Sequence, residues 1–143
     1  MTITITLRTD GPHSPEYTAE VADALAECVR VLNHATMRPA GEALAYPADA
    51  DAVIASLSGA AGSLPQLLRQ LGEWLLGELH ADRLLVAYGE FSGNPAAAVA
   101  AVVDYILDAQ AAADRLYRAV DAAHQVTSAI SAERGPAGPG GAR

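Results

Sequence analysis

Four histidines and a single cysteine are the side chains in this sequence that are best suited to chemistry near neutral pH. Asp121 and His124 are three residues apart, so on a helix both side chains reach one face and could hold a metal ion. A carboxylate-bridged di-iron bundle would need a second helical acid-x-x-His pair and further inward carboxylates, which the predicted helices do not supply. We therefore expect neither a metal nor a cofactor.

Cys28 is the only cysteine, so the chain cannot form an intramolecular disulfide. It falls among the apolar residues of a predicted helix, a position that favours a small buried hydrophobe over a nucleophile. The sequence has no Gly-rich phosphate loop, no Gly-x-Ser-x-Gly elbow and no Cys-x-x-Cys pair. Enzyme activity is therefore not expected.

The longest element that could position these side chains begins at Asn94-Pro95, where Asn can cap a helix and Pro suits its first position. No Pro or Gly follows until Gly135, and apolar residues recur at steps of three and four, which predicts a helix over 95–133. Such a helix would be roughly 55–60 Å long. Because a compact domain of this size does not need that length, we expect part of it to pack against another chain.

The first residues alternate Thr with Ile or Leu, which is the pattern of a strand with one apolar face. No second strand is predicted, so this arm, residues 1–13, is either a loosely packed terminus or a strand that pairs with a second subunit or with the sheet edge of a partner. The arm and the long helix together predict a homodimer. The candidate oligomer seam consists of Ile3, Ile5, Leu116, Val120 and Ile130.

Ser14-Pro15 opens another predicted helix, over 15–37, that carries four carboxylates on one face. These candidate interaction residues are Glu16, Glu20, Asp23 and Glu27. The pattern is typical of a solvated helix face, and it also suits docking of an Arg- or Lys-rich protein partner.

Two further helices are predicted over 49–61 and 64–80, separated by Gly62 and restarted by the capping-box spacing of Ser63 and Gln66. The second has Leu and Trp on one face and polar residues on the other. A short helical turn is expected over 84–88. The predicted fold is an all-α antiparallel bundle of about four main helices, with the bundle domain at 14–134 and a flexible Gly/Pro-rich tail at 135–143.

The chain carries 17 acidic residues against nine basic ones, for a net charge of −8. Nucleic-acid binding draws much of its affinity from basic side chains, so it is not expected. The alternative of a helix-turn-helix DNA-associated regulator would use 49–61 and 64–80, yet the second helix offers Arg69 against Glu73 and Glu78. A small-ligand or metal-binding helical bundle is the remaining alternative.

The sequence begins without a signal-peptide pattern and has no run of 18 uncharged apolar residues, so a cytoplasmic location without membrane contact is expected. The function predicted from the sequence is a non-enzymatic protein–protein interaction or adaptor protein. It would self-associate through its long C-terminal helix, its N-terminal arm or both, and would offer the acidic helix face to a basic partner.

Overall fold

The computed structural model describes residues 4–37 and 43–130, and these form three α-helices and no strand. They are α1 (Pro15–Thr36), α2 (Pro47–His80) and α3 (Pro95–Thr127). The all-α prediction is confirmed, whereas the predictions of about four helices and of a β-like arm are wrong. Residues 4–8 of the arm adopt no regular secondary structure, while Ile3 and the tail at 135–143 lie outside the described residues.

Each helix begins at a proline that follows a capping residue. The Ser14 hydroxyl accepts a hydrogen bond from the Tyr17 N–H at 3.1 Å, and the Asn94 amide oxygen accepts one from the Ala97 N–H at 3.0 Å. The Tyr46 N–H donates to the Asp49 carboxylate at 2.8 Å. These contacts satisfy donors that the first helical turn leaves unpaired, which is why the sequence located the starts of α1 and α3 correctly.

The predicted break between the two middle helices does not exist, because α2 runs without interruption past Gly59, Gly62 and Pro65. The Ser63 hydroxyl donates to the Gly59 carbonyl at 3.1 Å, one turn back, instead of capping a new helix. Packing against α3 compensates for the weak local propensity: Ala61 is buried, and the Gln110 amide donates to the Pro65 carbonyl at 3.0 Å. Tertiary contacts therefore override the local helix-breaking signals.

Helices α2 and α3 form an antiparallel hairpin. Asp51 at the start of α2 contacts His124 near the end of α3, and Gly72 farther along α2 lies against Ile106. The connection over 81–94 contains no helical turn at 84–88, so that prediction is wrong. Gly93 instead has a positive φ of 73° and donates its N–H to the Val86 carbonyl at 2.9 Å, which closes a loop.

The chain divides into two compact units, Met1–Ala45 and Tyr46–Arg143. In the first unit the arm is tied to α1 by Tyr17, whose hydroxyl donates to the Thr6 carbonyl at 3.2 Å and accepts from the Arg8 N–H at 2.8 Å. No residue of α1 is buried, and Cys28 is exposed. The prediction of a buried cysteine is therefore wrong, because α1 has no helix packed over this position within its unit.

Candidate functional site

The α2–α3 hairpin has two unlike faces on either side of its contact line. Gly72 is buried against Ile106, so it points toward α3. Successive helical residues are about 100° apart, so Glu73 turns to one side of this line and Leu71 to the other. The Glu73 side forms a shallow groove with the side chains of Arg69, Val103 and Leu107. The groove itself is lined mainly by apolar side chains, but Arg69 pairs with Glu73 at 2.9 Å along it, and this side, which carries charges, is called the polar face below.

The Leu71 side of the hairpin is apolar and solvent-exposed, and it is called the apolar face below. Its large side chains are Leu57, Leu64, Leu67, Leu71 and Trp74 of α2 with Val102, Tyr105, Leu116 and Val126 of α3. Trp74 is 62% exposed and Tyr105 is 74% exposed. Leu57, Leu64 and Leu71 are spaced by seven residues, a repeat that keeps one line of side chains facing a neighbouring helix.

The two helices contribute side chains of different size to the apolar face. Those from α2 are mostly Leu and Trp. Those from α3 are mostly alanine, and the larger ones in its first half are Val102 and Tyr105. The small residues of α3 on this side are Ala98, Ala101, Ala109, Ala112, Ala119 and Ala123. The face therefore presents a ridge along α2 and a shallower surface along α3.

The oligomer seam predicted from the sequence is placed only partly on this face. Leu116 is half-exposed there, and Val120 lies closer to the contact line with α2, where it is partly buried. Ile130 is half-exposed beyond the end of α3, and Ile5 is partly buried in the other unit. The sequence assigned the amphipathic face of 64–80 to the core and left open whether Trp74 faces a core or an interface, whereas the structure leaves Leu67, Leu71 and Trp74 exposed.

The four acidic residues of α1 have different surroundings. Glu27 pairs with Arg30 through hydrogen bonds of 2.5 and 2.8 Å, and this guanidinium lowers the pKa of the Glu27 carboxyl. The pKa of Glu16 is lowered by its own backbone N–H and then by the Ser14 hydroxyl. Glu20 and Asp23 line a cleft with Ile5 of the arm and make no ion pair within the described residues. The acidic face that remains open to a partner is therefore centred on Glu20 and Asp23.

A polar cluster lies at the open end of the hairpin, where α2 begins and α3 ends. The Thr127 hydroxyl donates to Asp51 Oδ1 at 2.6 Å, and His124 Nδ1 lies 2.8 Å from the same oxygen. The hydrogen bond from Thr127, and to a smaller extent the contact with His124, lowers the pKa of the Asp51 carboxyl. No local sequence signal could have found this cluster, since Asp51 and His124 are 73 residues apart.

The Asp121–His124 pair considered for metal binding does not converge on one point. Asp121 instead accepts from the Gln125 amide at 2.9 Å and lies 3.5 Å from the Ser58 hydroxyl, while His124 faces Asp51. No group of three or more metal-ligating side chains occurs among residues 4–37 and 43–130.

Helix α3 is long enough and apolar enough to cross a membrane by length and composition, with a window of mean hydropathy 1.4. Only 11% of that window is buried. Asp104 and Asp108 on α3 would be costly in a bilayer interior.

The chain matches no protein-family model, no curated protein and no solved structure at a significant level. The functional assignment therefore depends on the surfaces described above.

Proposed function

We propose that this protein is a non-enzymatic helical interaction or adaptor protein that self-associates and binds a basic protein partner in the cytoplasm. The observation that carries the proposal is the apolar face of the hairpin, where Leu, Trp and Tyr side chains stay exposed on one side of two helices. Contiguous exposed apolar surface bordered by polar residues is typical of a surface that contacts another macromolecule.

The acidic side of α1 supports the choice of a basic partner. Glu20 and Asp23 are exposed, and neither is neutralised by a described side chain. The net charge of −8 would speed encounter with a positively charged protein and disfavour nucleic acid. In this proposal the hairpin provides self-association, and α1 provides the contact to the second protein.

The two alternative functions have less support. A helix-turn-helix regulator needs a turn between its two helices, but α2 is continuous across the segment where that turn was expected. A metal-binding bundle would use His124, whose ring faces the Asp51 carboxylate. A gel-shift with duplex DNA at about 0.15 M salt tests the first alternative, because salt-resistant binding would contradict our proposal.

The main test is affinity purification of the tagged full chain from its source cells, with and without nuclease, followed by mass spectrometry. We expect a stoichiometric, nuclease-resistant basic protein. The variant with Glu20→Gln and Asp23→Asn should lose this partner and keep its helical circular dichroism. The matched control has Asp104→Asn and Asp108→Asn, which change the net charge equally on α3. Recovery of the same partner with both variants would overturn the role of α1.

A further inference from the structure

We propose that the apolar face of the hairpin is covered by the same face of a second copy, with α2 of each copy packed on α3 of the other. The inference deepens the proposed function, since it rests on self-association and names the surface and the geometry that produce it. The result would be a four-helix bundle in which each hairpin contributes two helices.

The size of the apolar face matches what a stable dimer requires. Nine large side chains lie on it, and Trp74 and Tyr105 are more than half exposed. A standard interface buries about 800 Å² per partner, and nine large apolar side chains of this exposure are a patch of that order. Within the hairpin only Ala61, Val99 and Ala113 are buried hydrophobic residues among those described. A second layer of packing would supply the core that two helices alone do not form.

The charge distribution leaves this face suited to burial. Between Leu57 and Trp74 the only charged residues of α2 are Arg69 and Glu73, and both lie on the opposite, polar face, where they pair. On α3, Asp108 and Arg115 lie at the outer edge of the apolar face, the same edge that Trp74 occupies on α2, so their charges stay in contact with water while the centre of the face is buried. Glu78, farther along α2, also falls on this side, and it pairs with Arg83. Bringing two such faces together would therefore bury no unpaired charge, which is the main cost that a self-contact has to avoid.

The sizes of the side chains favour a second copy over an unrelated helix. The face is self-complementary in shape, because the Leu and Trp ridge of α2 in one copy fits the alanine-rich surface of α3 in the other. A two-fold axis parallel to the hairpin places each α2 over the α3 of the other copy, and in antiparallel orientation. A two-fold axis perpendicular to the helices would instead place α2 on α2 and α3 on α3. The Leu and Trp ridges would then meet each other, and alanine would lie opposite alanine.

This geometry predicts one specific contact. Since Gly72 lies against Ile106, Trp74 is level with the turn of α3 that contains Tyr105. In the two-fold arrangement Trp74, which lies at the outer edge of the apolar face about 200° around α2 from Gly72, reaches Ala101 and Tyr105 of the second copy from the flank. An aromatic pair of this kind adds to the apolar burial around it, and Trp74 is the only tryptophan, so its fluorescence reports on the interface.

The test combines sedimentation equilibrium of the full chain with Trp74 emission across a dilution series. We expect a dimer whose emission is blue-shifted and moves to the red as it dissociates. Leu71→Glu on the apolar face should raise the dimer Kd at least about 100-fold, because each copy would bury a charge. Leu107→Glu is the matched control on the polar face, where the leucine is similarly exposed, and it should leave the Kd within about threefold.

A second pair of variants keeps the test decisive if Leu71→Glu does not fold. Ala112→Glu lies on the apolar face of α3, and Ala111→Glu lies on the other side of the same helix, both at exposed positions. Only Ala112→Glu should give a helical monomer. A dimer that survives every substitution on this face would overturn the interface but leave self-association intact. A wild-type monomer would overturn self-association itself, and blue-shifted emission from that monomer would indicate that the chain's own first unit covers the face.

Discussion

At the scale of single residues, Asp51 has the most informative surroundings in the hairpin. Its carboxylate accepts from Thr127 and lies beside His124, and both contacts are stronger when the carboxyl is ionised. Because these contacts lower the pKa of Asp51 in the folded chain, they stabilise the fold at pH values above the ordinary carboxyl range. That stabilisation is lost as the pH falls through the lowered pKa and Asp51 becomes protonated.

Thr127→Val tests this contact, since valine keeps the shape of threonine and removes its hydroxyl. We expect the Tm to fall by a few degrees at pH 7, because the carboxylate loses its closest donor. The difference from the wild type should shrink below about pH 4, because this carboxyl is protonated first in the unfolded chain and, at lower pH, in the folded chain as well. Thr127→Ser keeps the donor and should retain most of the stability. An equal difference at pH 7 and pH 3 would contradict the assignment.

The glycines of α2 give a second prediction at this scale. An added Cβ at Gly77 would meet nothing within 4 Å, whereas at Gly62 it would lie 3.2 Å from Cδ2 of Tyr117. Gly77→Ala should therefore raise the free energy of unfolding by about 0.5–1 kcal/mol through helix propensity. Gly62→Ala should gain less, because the Tyr117 ring has to move. Urea denaturation of both variants checks the order, and a larger gain at Gly62 would contradict the helix contact.

At the scale of elements, the sequence located α1 and the start of α3 because their signals are local, but α3 ends at Thr127 and not at the predicted 133. Capping residues and prolines mark where both begin, and uninterrupted apolar periodicity carries each of them through. The prediction failed at α2, because Gly59, Gly62 and Pro65 are local helix breakers. Contacts with α3 override these signals and keep the helix continuous. The pairing of Asp51 with His124 was likewise out of reach, since it depends on the register of the hairpin.

The arm of the first unit provides a prediction about an element. Tyr17→Phe removes the hydroxyl that bonds to Thr6 and Arg8 but keeps the ring that stacks on His13 at 5.0 Å. We expect trypsin to cleave after Arg8 several times faster in this variant, because the arm is then held only by weaker contacts. Tyr105→Phe on α3 is the control and should leave the cleavage rate unchanged. Equal rates in all three proteins would show that Tyr17 does not hold the arm.

At the scale of the whole molecule, the hairpin is polar on one side and apolar on the other, and its apolar side carries the proposed self-association. The sequence pointed to an oligomer through the length of α3 and the seam at Leu116, Val120 and Ile130. It did not identify the contribution of α2, because a row of Leu and Trp on an amphipathic helix looks the same whether it faces a core or a second chain. The structure distinguishes a core from a second chain, because α3 packs against the Gly72 side of α2 and leaves the Leu and Trp side uncovered.

The measurement that tests the central claim most directly is an isotope-filtered NOESY spectrum of a dimer formed from labelled and unlabelled chains. Such a spectrum records contacts between copies alone. We predict cross-peaks from the Trp74 indole of one copy to the Ala101 methyl group and the Tyr105 ring of the other. Intermolecular cross-peaks from the arm without any from Trp74, or from Trp74 to α2 of the other copy alone, would contradict the proposed dimer.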